Sequence, residues 1–454
     1  MKELISKYKE HLNAPVSPAS LGLFRILVGI VLMLQTMYFM STDFVQVHIF
    51  DSPIAFKFRY FEFLEPLSPS GMKFIMLLML LSTIGIILGR LFKLSAAIYC
   101  LTFTYFWLLD MSYFNNHYYF MSLLALLLLF SNADGWGALK GKNRKESIPY
   151  YQIFALKGQI FIAFFIAGVN KINYYWLVEN QPMKHILETK AEVAGTQWIN
   201  NSFFYQFFSW SGLLFDLFIG FLLWIPKFRK IGIIAFVFFN LINFWLFYDI
   251  GEIGFFPFLL LACISIFLDP KKVAEKLSWL TPTKKSDKKV SNKKDTPKTS
   301  LHVRPVKWAP LVITVYLIFH LVFPFRHLFF PGHVDWNGAG QRFSWRMKIM
   351  YKDVDMHFYL IEEGSTEKRE VNVGFFLNDK QYTNLMYYPD FIPPVAKYIK
   401  EEGIRKGLKN PQVVADFTVG FNGDKKINLV DPKLDLSKVK YQPISGLYWL
   451  KTRK

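Results

Sequence analysis

The 454-residue chain is 52% hydrophobic and 18% aromatic, with 48 Phe, and only 19% of it is charged, where a soluble domain carries roughly a quarter. Its net charge of +19 sits largely in lysines between apolar blocks, a placement that membrane topology explains and that argues against nucleic acid as a partner. The two cysteines, Cys100 and Cys263, lie inside apolar blocks, which excludes a disulfide framework in the soluble parts and reads as core packing.

The N-terminal stretch MKELISKYKEHLNAPVSPAS has no cleavable signal pattern, and the apolar block after it is long enough to span and stay. Nine apolar blocks follow, near 20–40, 72–90, 93–109, 118–131, 152–170, 206–224, 231–248, 254–268 and 308–324. Their lengths suit a bilayer core of roughly 30 Å at about 1.5 Å per helical residue. The last is interrupted by Pro310 and His320. The expected fold class is a polytopic α-helical membrane protein, with about eight or nine transmembrane helices, followed by a small α+β, β-rich soluble domain.

The loops orient the chain. Cations collect in the N-terminus (Lys2, Lys7, Lys9), after the second block (Arg90, Lys93), after the fourth (Lys140, Lys142, Arg144, Lys145) and after the sixth (Lys227, Arg229, Lys230). A basic stretch, 271–307, follows the eighth, with twelve Lys/Arg against three acids. All of these fall on one side, which the positive-inside rule makes cytoplasmic. The alternate loops are poorer in cations, as in LDMSYFNN and YDIGE with Asp249 and Glu252, or mix lysines with acids, as in 41–71 and 171–205. Nine crossings then place the C-terminal region outside.

The expected divisions are a cytoplasmic segment 1–19, a helical module 20–270, a disordered basic linker 271–307, a last helix and junction 308–332, and an extracytoplasmic domain 333–454. The linker is low in complexity and suits a tether near anionic lipid. In the C-terminal part, VNVGFFLN (371–378) and VVADFTVGF (413–421) alternate like strands. Asn422-Gly423 signals a hairpin turn, and Asp390 to Gly403 reads as a helix with Gly at its stop.

This topology gathers polar groups at one membrane face. His117 begins the fourth block, Lys171 ends the fifth, and FPFRHLFFPGHVDW (323–336) brings Arg326, His327 and His333 after the ninth. Ordinary roles exist for each. A lysine at a helix end reaches for the interface, and a single histidine there is commonly a hydrogen-bonded packing residue. Trp107, Tyr118, Tyr119, Tyr174, Tyr175 and Trp176 suit an interfacial belt, and Arg326 and Arg346 suit lipid phosphate. No zinc spacing, P-loop or dinucleotide fingerprint is present. The residues alone lead to an outward-facing membrane site with an amine and an imidazole.

Four stretches carry a resemblance to a known family. They are FNNHYYFMSLLALLLLFSNADGWGAL (114–139), GQIFIAFFIAGVNKINYYWL (158–177), FPFRHLFFPGHVDWNGAGQRFSWRM (323–347) and ADFTVGFNGDKKINLVDPKLDL (415–436), with LGLFRILVGI (21–30) as a lesser match. Over about 20–450 the chain resembles the vitamin K-dependent γ-glutamyl carboxylases and their bacterial relatives. The resemblance implies an enzyme that uses reduced vitamin K (phylloquinol or menaquinol), O2 and CO2 to convert peptidyl glutamate to γ-carboxyglutamate, with quinone epoxide as by-product and no metal. It implies partners in a glutamate-containing protein or peptide, membrane lipid and quinone.

By the same resemblance Lys171 is the general base toward the hydroquinone, and His117 orients the quinone intermediate. Such a base must be a neutral amine, and burial at the end of an apolar helix disfavours the ammonium. Asn116, Asn240, Asn243 and Trp176 are expected at the quinone, and Arg326, His327, Arg342 and Arg346 at the substrate carboxylate, which arginine suits by its bidentate geometry. Three departures stand out. Asn240 occupies a position where the family often has histidine, and an amide cannot relay a proton as imidazole does. Asn170 stands where a second lysine occurs. The C-terminal region is shorter than in the animal enzymes, which puts recognition of a substrate propeptide in doubt. The compact C-terminal region without disulfides suits a bacterial inner membrane and menaquinol. Two other readings remain at this point: a quinol-dependent oxidoreductase on the same scaffold, and a non-enzymatic membrane scaffold.

Overall fold

The computed structural model describes residues 1–139, 145–249, 253–281 and 305–453. Lys140, Lys142, Arg144, Glu252 and the 282–304 part of the basic stretch lie outside the described residues.

The chain is mostly helical. α1 (Lys2–Asn13) precedes α2 (Ala19–Ser41), α3 (Pro69–Leu88), α4 (Phe92–Leu108), α5 (Asn116–Leu129) and α6 (Tyr151–Asn170). A short pairing of β1 (Pro15–Val16) with β2 (Ile148–Pro149) fixes the start of α6 beside that of α2. Next come α7 (Tyr174–Leu177), α8 (Met183–Val193), α9 (Ser202–Trp224), α10 (Arg229–Phe247), α11 (Phe256–Cys263), α12 (Pro270–Lys276) and α13 (Ala309–Val322). The apolar run of α11 continues as a 3-10 turn to Phe267, and that of α13 to Phe329. Among the described residues six helices are long and apolar enough to cross a membrane: Ala19–Ser41, Pro69–Leu88, Tyr151–Asn170, Ser202–Trp224, Arg229–Phe247 and Ala309–Phe329. Phe92–Leu108, Asn116–Leu129 and Phe256–Phe267 are apolar but shorter. The protein is therefore a multi-pass membrane protein with a small β-containing C-terminal region.

Local chemistry sets the helix ends. Ser68 accepts a hydrogen bond from Gly71 N at 3.2 Å and Pro69 opens α3, while Gly89 at φ 64° closes it, the usual asymmetry of helix termini. Pro310 does not interrupt α13. It sits in the first turn, where its missing N–H has no intrahelical partner to lose. Buried Arg25 of α2 donates to the carbonyls of Ile86, Ile87, Ala133, Trp136 and Gly137. One guanidinium thus satisfies carbonyls left over at the end of α3.

The basic stretch expected to be disordered from 271 begins instead as α12. Asp269 caps it through Lys271 N at 2.9 Å, and Val273 packs with Ala19 and Trp136.

The C-terminal region adds α14 (Val334–Asn337), β3 (Lys352–Ile361), β4 (Arg369–Val371), α15 (Asp379–Tyr387), α16 (Ile392–Arg405), β5 (Gln412–Phe421) and β6 (Ile427–Asn428). Its antiparallel sheet has the order β4-β3-β5-β6, with Lys352 opposite Phe421 and Ile361 opposite Gln412. Asn422 and Gly423 both take positive φ in the turn after β5. The strand expected over 371–378 stops at Val371. Asn372 Oδ1 accepts from Gly374 N at 2.9 Å and turns the chain into a 3-10 helix. Gly403 is inside α16 rather than at its stop. A Cβ there would lie 3.3 Å from Leu360 Cδ1, so glycine lets the helix close onto β3.

This region is seated on one end of the bundle. Phe56 and Phe391 rings lie 4.3 Å apart. Gln381 Nε2 donates to Ile54 O at 2.7 Å and Asp110 Oδ2 at 3.0 Å. Asn378 Nδ2 donates to Tyr113 Oη at 3.0 Å.

Candidate active site

Lys171 is the C-cap of α6 and is 7% exposed. The chain breaks there because Asn173 accepts from Trp176 N at 3.0 Å and starts α7. That turn folds Trp176 back, with its ring centroid 5.1 Å from Lys171 Nζ. Trp176 Nε1 donates to Ser209 O on α9 at 2.7 Å, which fixes the indole.

The amine is buried as expected, but its surroundings are not purely apolar. Lys171 Nζ donates to Asp216 Oδ2 of α9 in an ion pair between the two helices, and Asp216 is 5% exposed. The pair forms because α6 and α9 approach closely. A Cβ on Gly168 would lie 2.8 Å from Leu217 N, and one on Gly220 would lie 2.4 Å from Phe161 Cδ2. Sequence reasoning missed Asp216. The signal was present: it is the single acid in SFFYQFFSWSGLLFDLFIGFLLW, and an acid within a span is a functional candidate by default.

A cavity of about 300 Å³ opens from this pair. Lys171, Asp216, Trp176, His117, Asn240 and Asn243 all line it, with Phe164, Phe215, Phe238 and Phe239 among its apolar walls. His117 follows Asn115, whose side chain accepts from Tyr118 N at 2.7 Å and caps α5. The imidazole lies flat on Phe256, with centroids 3.8 Å apart and planes 6° apart. Asn240 Nδ2 donates to Phe236 O at 2.8 Å, and Asn243 Nδ2 to Phe239 O at 2.9 Å. With one N–H of each amide used on its own helix, its oxygen and its second N–H are left for a ligand.

His117, Met347 and Lys348 are shared with a second, polar chamber of about 400 Å³. Asn116 lines that chamber rather than the apolar cavity. So do Arg342 and Arg346, but both guanidinium groups are engaged. Arg342 Nη1 lies 2.5 Å from Asp390 Oδ2. Arg346 holds Asp335 with two hydrogen bonds, Nε to Oδ1 at 2.7 Å and Nη2 to Oδ2 at 2.6 Å. Its third nitrogen, Nη1, donates to Asn170 Oδ1 at 2.8 Å. Asn170 Nδ2 in turn donates to Ser344 O at 2.8 Å. The residue beside Lys171 is therefore tied to the junction after α13.

Arg326 and His327 line neither cavity. Arg326 Nη1 donates to Ser344 Oγ at 2.9 Å and its Nη2 to Arg342 O. His327 Nδ1 donates to Pro324 O at 2.9 Å. His333 packs on Phe421, with ring centroids 5.7 Å apart.

No group of His, Cys, Asp or Glu suited to a metal ion occurs among the described residues. The first cavity combines amide groups and an amine with Phe-rich walls, the kinds of surface that a ring bearing two oxygens and an apolar tail calls for. Residues 13–271 match the family model of the HTTM domain, and residues 306–454 match that of the vitamin K-dependent gamma-carboxylase, lumenal domain. No solved structure matches the chain. The membrane module and the region seated on it thus match side by side, and the chain belongs to the vitamin K-dependent gamma-carboxylase family.

Proposed function

We propose that this protein carboxylates glutamate side chains of an exported peptide or protein, using a quinol, O2 and CO2, and releases quinone epoxide. The observation that carries the reading is a buried amine, paired with a carboxylate, in the wall of an apolar cavity that shares His117, Met347 and Lys348 with a polar chamber.

When bound, a quinol supplies the electrons for O2 and, with it, a base strong enough to take a proton from the γ-carbon of glutamate. Lys171 Nζ takes the proton of the quinol hydroxyl from its neutral form, in which it is hydrogen-bonded rather than ion-paired to Asp216. Asp216 orients that amine and stabilises the ammonium that results, as a third group orients a base in other sites. Asn240 and Asn243 offer amide oxygens to the headgroup. His117, fixed flat on Phe256, orients the ring, and Trp176 covers the amine and limits water. The polar chamber admits the glutamate, with Arg342, Arg346 and Asn116 in its wall. Arg326 and His327 hold the junction that closes over it.

The same reading sets nine crossings, with the three shorter apolar helices counted among them. The N-terminus and the basic stretches are cytoplasmic, the site and the C-terminal region are extracytoplasmic, and menaquinol of a bacterial inner membrane is the natural quinol.

The test is labelled CO2 incorporation into a glutamate-containing peptide by purified protein with menaquinol and O2, beside Lys171→Ala. Incorporation that the variant loses supports the reading. Quinol-dependent O2 uptake without incorporation into any glutamyl peptide would replace it with a quinol oxidoreductase, and no uptake at all would leave a binding scaffold.

A further inference from the structure

α9 and α10 touch at one end and part toward the other. A Cβ on Gly232 of α10 would lie 3.0 Å from Leu222 C of α9, so the two backbones meet there. Further along, the rings of Phe215 and Phe239 stack 3.7 Å apart with planes 10° apart. Past that stack, toward Phe207, a Cβ on Gly212 would meet Trp176 Cζ2 at 3.6 Å and no atom of α10 among the described residues. The first cavity fills this gap, lined by Ser211 and Gly212 on one side and by Ile242 and Asn243 on the other. Ser211 Oγ turns back to donate to Phe208 O at 3.4 Å, which leaves the mouth apolar. Two cavity-lining rings also face outward: Phe207 is 50% exposed and Phe238 64%. On helices that cross a membrane, such rings meet lipid. The cavity that holds Lys171 and Asp216 is thus bordered by a slot that faces the bilayer.

We propose that the slot between α9 and α10 is the entrance and tail subsite for a quinone with a polyisoprenoid chain. The ring enters first and stops at the amine and amides, while the chain stays in the slot against Phe207, Phe238 and Ile242 and runs out among the lipid. That the occupant is a quinone rests on the carboxylase reading. A path through the bilayer keeps the chain out of water throughout. A third chamber, of about 610 Å³, shares His117 and Phe256 with the first cavity, but Gln35, Thr42, His48 and Lys380 stand in its wall. A hydrocarbon chain there would cover polar groups without bonding them, so the slot is the better place for it.

The test uses the purified full chain in lipid bilayer discs with two oxidised probes, a menaquinone bearing a photoreactive diazirine on its tail and the tail-less ring menadione. Irradiation without turnover should place adducts on 202–224 and 229–247, and excess menadione should suppress them. Ser211→Phe should weaken the tailed quinone about tenfold, as overpacking does, and menadione less than about twofold. Leu214→Phe, which adds bulk at an exposed position of α9 that does not line the cavity, should be as wild type. Adducts chiefly on 19–41 and 256–263 would put the tail in the third chamber and overturn the slot. So would a Ser211→Phe protein that treats the two quinones alike. Adducts that menadione does not suppress would mark a chain without its ring in the cavity, and overturn it too. Labelled CO2 incorporation and quinol-dependent O2 uptake in the same preparations separate the two ideas. Both activities with adducts elsewhere sink the slot alone. Suppressible adducts on α9 and α10 with neither activity sink the carboxylase reading and leave the slot standing.

Discussion

Arg346 and Asn170 are joined by a 2.8 Å hydrogen bond from Nη1 to Oδ1. The bond spans the junction after α13 and the last residue of α6, and its neighbour on that helix is Lys171. The other arm of Arg346 is fixed by both oxygens of Asp335. Lysine at 346 would keep the charge but not the fork that serves both partners. Arg346→Lys should therefore lower quinol-dependent O2 uptake about tenfold to a hundredfold, a loss of placement rather than of a reacting group. Steady-state uptake by protein of unchanged thermal midpoint checks it.

Lys171 and Asp216 should behave as one unit. Removing the lysine alone strands a buried carboxylate, a loss on the order of 3–5 kcal/mol. Lys171→Ala should melt below wild type, and Lys171→Ala/Asp216→Asn should recover part of the difference. Activity should be non-additive: Asp216→Asn alone costs about a hundredfold, and adding it to Lys171→Ala costs nothing further. Equal and additive losses would show that the two act separately.

Much of this site was legible and part was not. The helix ends at His117 and Lys171 are written locally, in an Asn cap and an apolar run that stops at an amine. Asp216 was legible in principle, since a carboxylate in a span has few bland explanations. The partners of the arginines were not. Asp335 and Asp390 lie 11 and 48 residues from the groups they bind, and no local pattern announces a pairing made by the tertiary fold. β3 was overlooked although KDVDMHFYLI alternates, because its exposed positions carry charge and hide the period. The start of the basic stretch misled by composition: an Asp-Pro cap and one buried valine outweighed its lysines.

Gly168 sets the spacing between Lys171 and Asp216. A methyl group there meets the backbone of Leu217 at 2.8 Å, so α6 and α9 must part. Gly168→Ala should cost about 1–3 kcal/mol, as overpacking does, and should lower activity more than stability alone explains. Thermal midpoints and O2 uptake measured together decide this.

Lys352 makes the C-terminal region sensitive to pH. Its ammonium is buried, donating to Trp336 O at 3.0 Å and Tyr387 O at 2.6 Å. Burial lowers it from 10.5 to about 7. Above about pH 7 the folded protein has released this proton while an unfolded chain still holds it, so stability rises with pH until about 10.5. Below about 7 both states are protonated and the dependence ends. The thermal midpoint should climb from pH 7 to 9, and Lys352→Met should flatten that climb.

The seating of the C-terminal region on the bundle has a consequence for how the protein is made. α13 rests on α6, and Tyr8 of α1 meets its Thr314 at 2.9 Å. Beyond it, Gln381, Asn378 and Arg346 each grip groups of the earlier helices. The two family matches stop and restart on either side of the same stretch, at 271 and 306. Continuity of the backbone there raises the effective concentration of the two parts but supplies none of these contacts. Two separately translated polypeptides, divided between residues 281 and 305, should assemble in one membrane and copurify as a working pair.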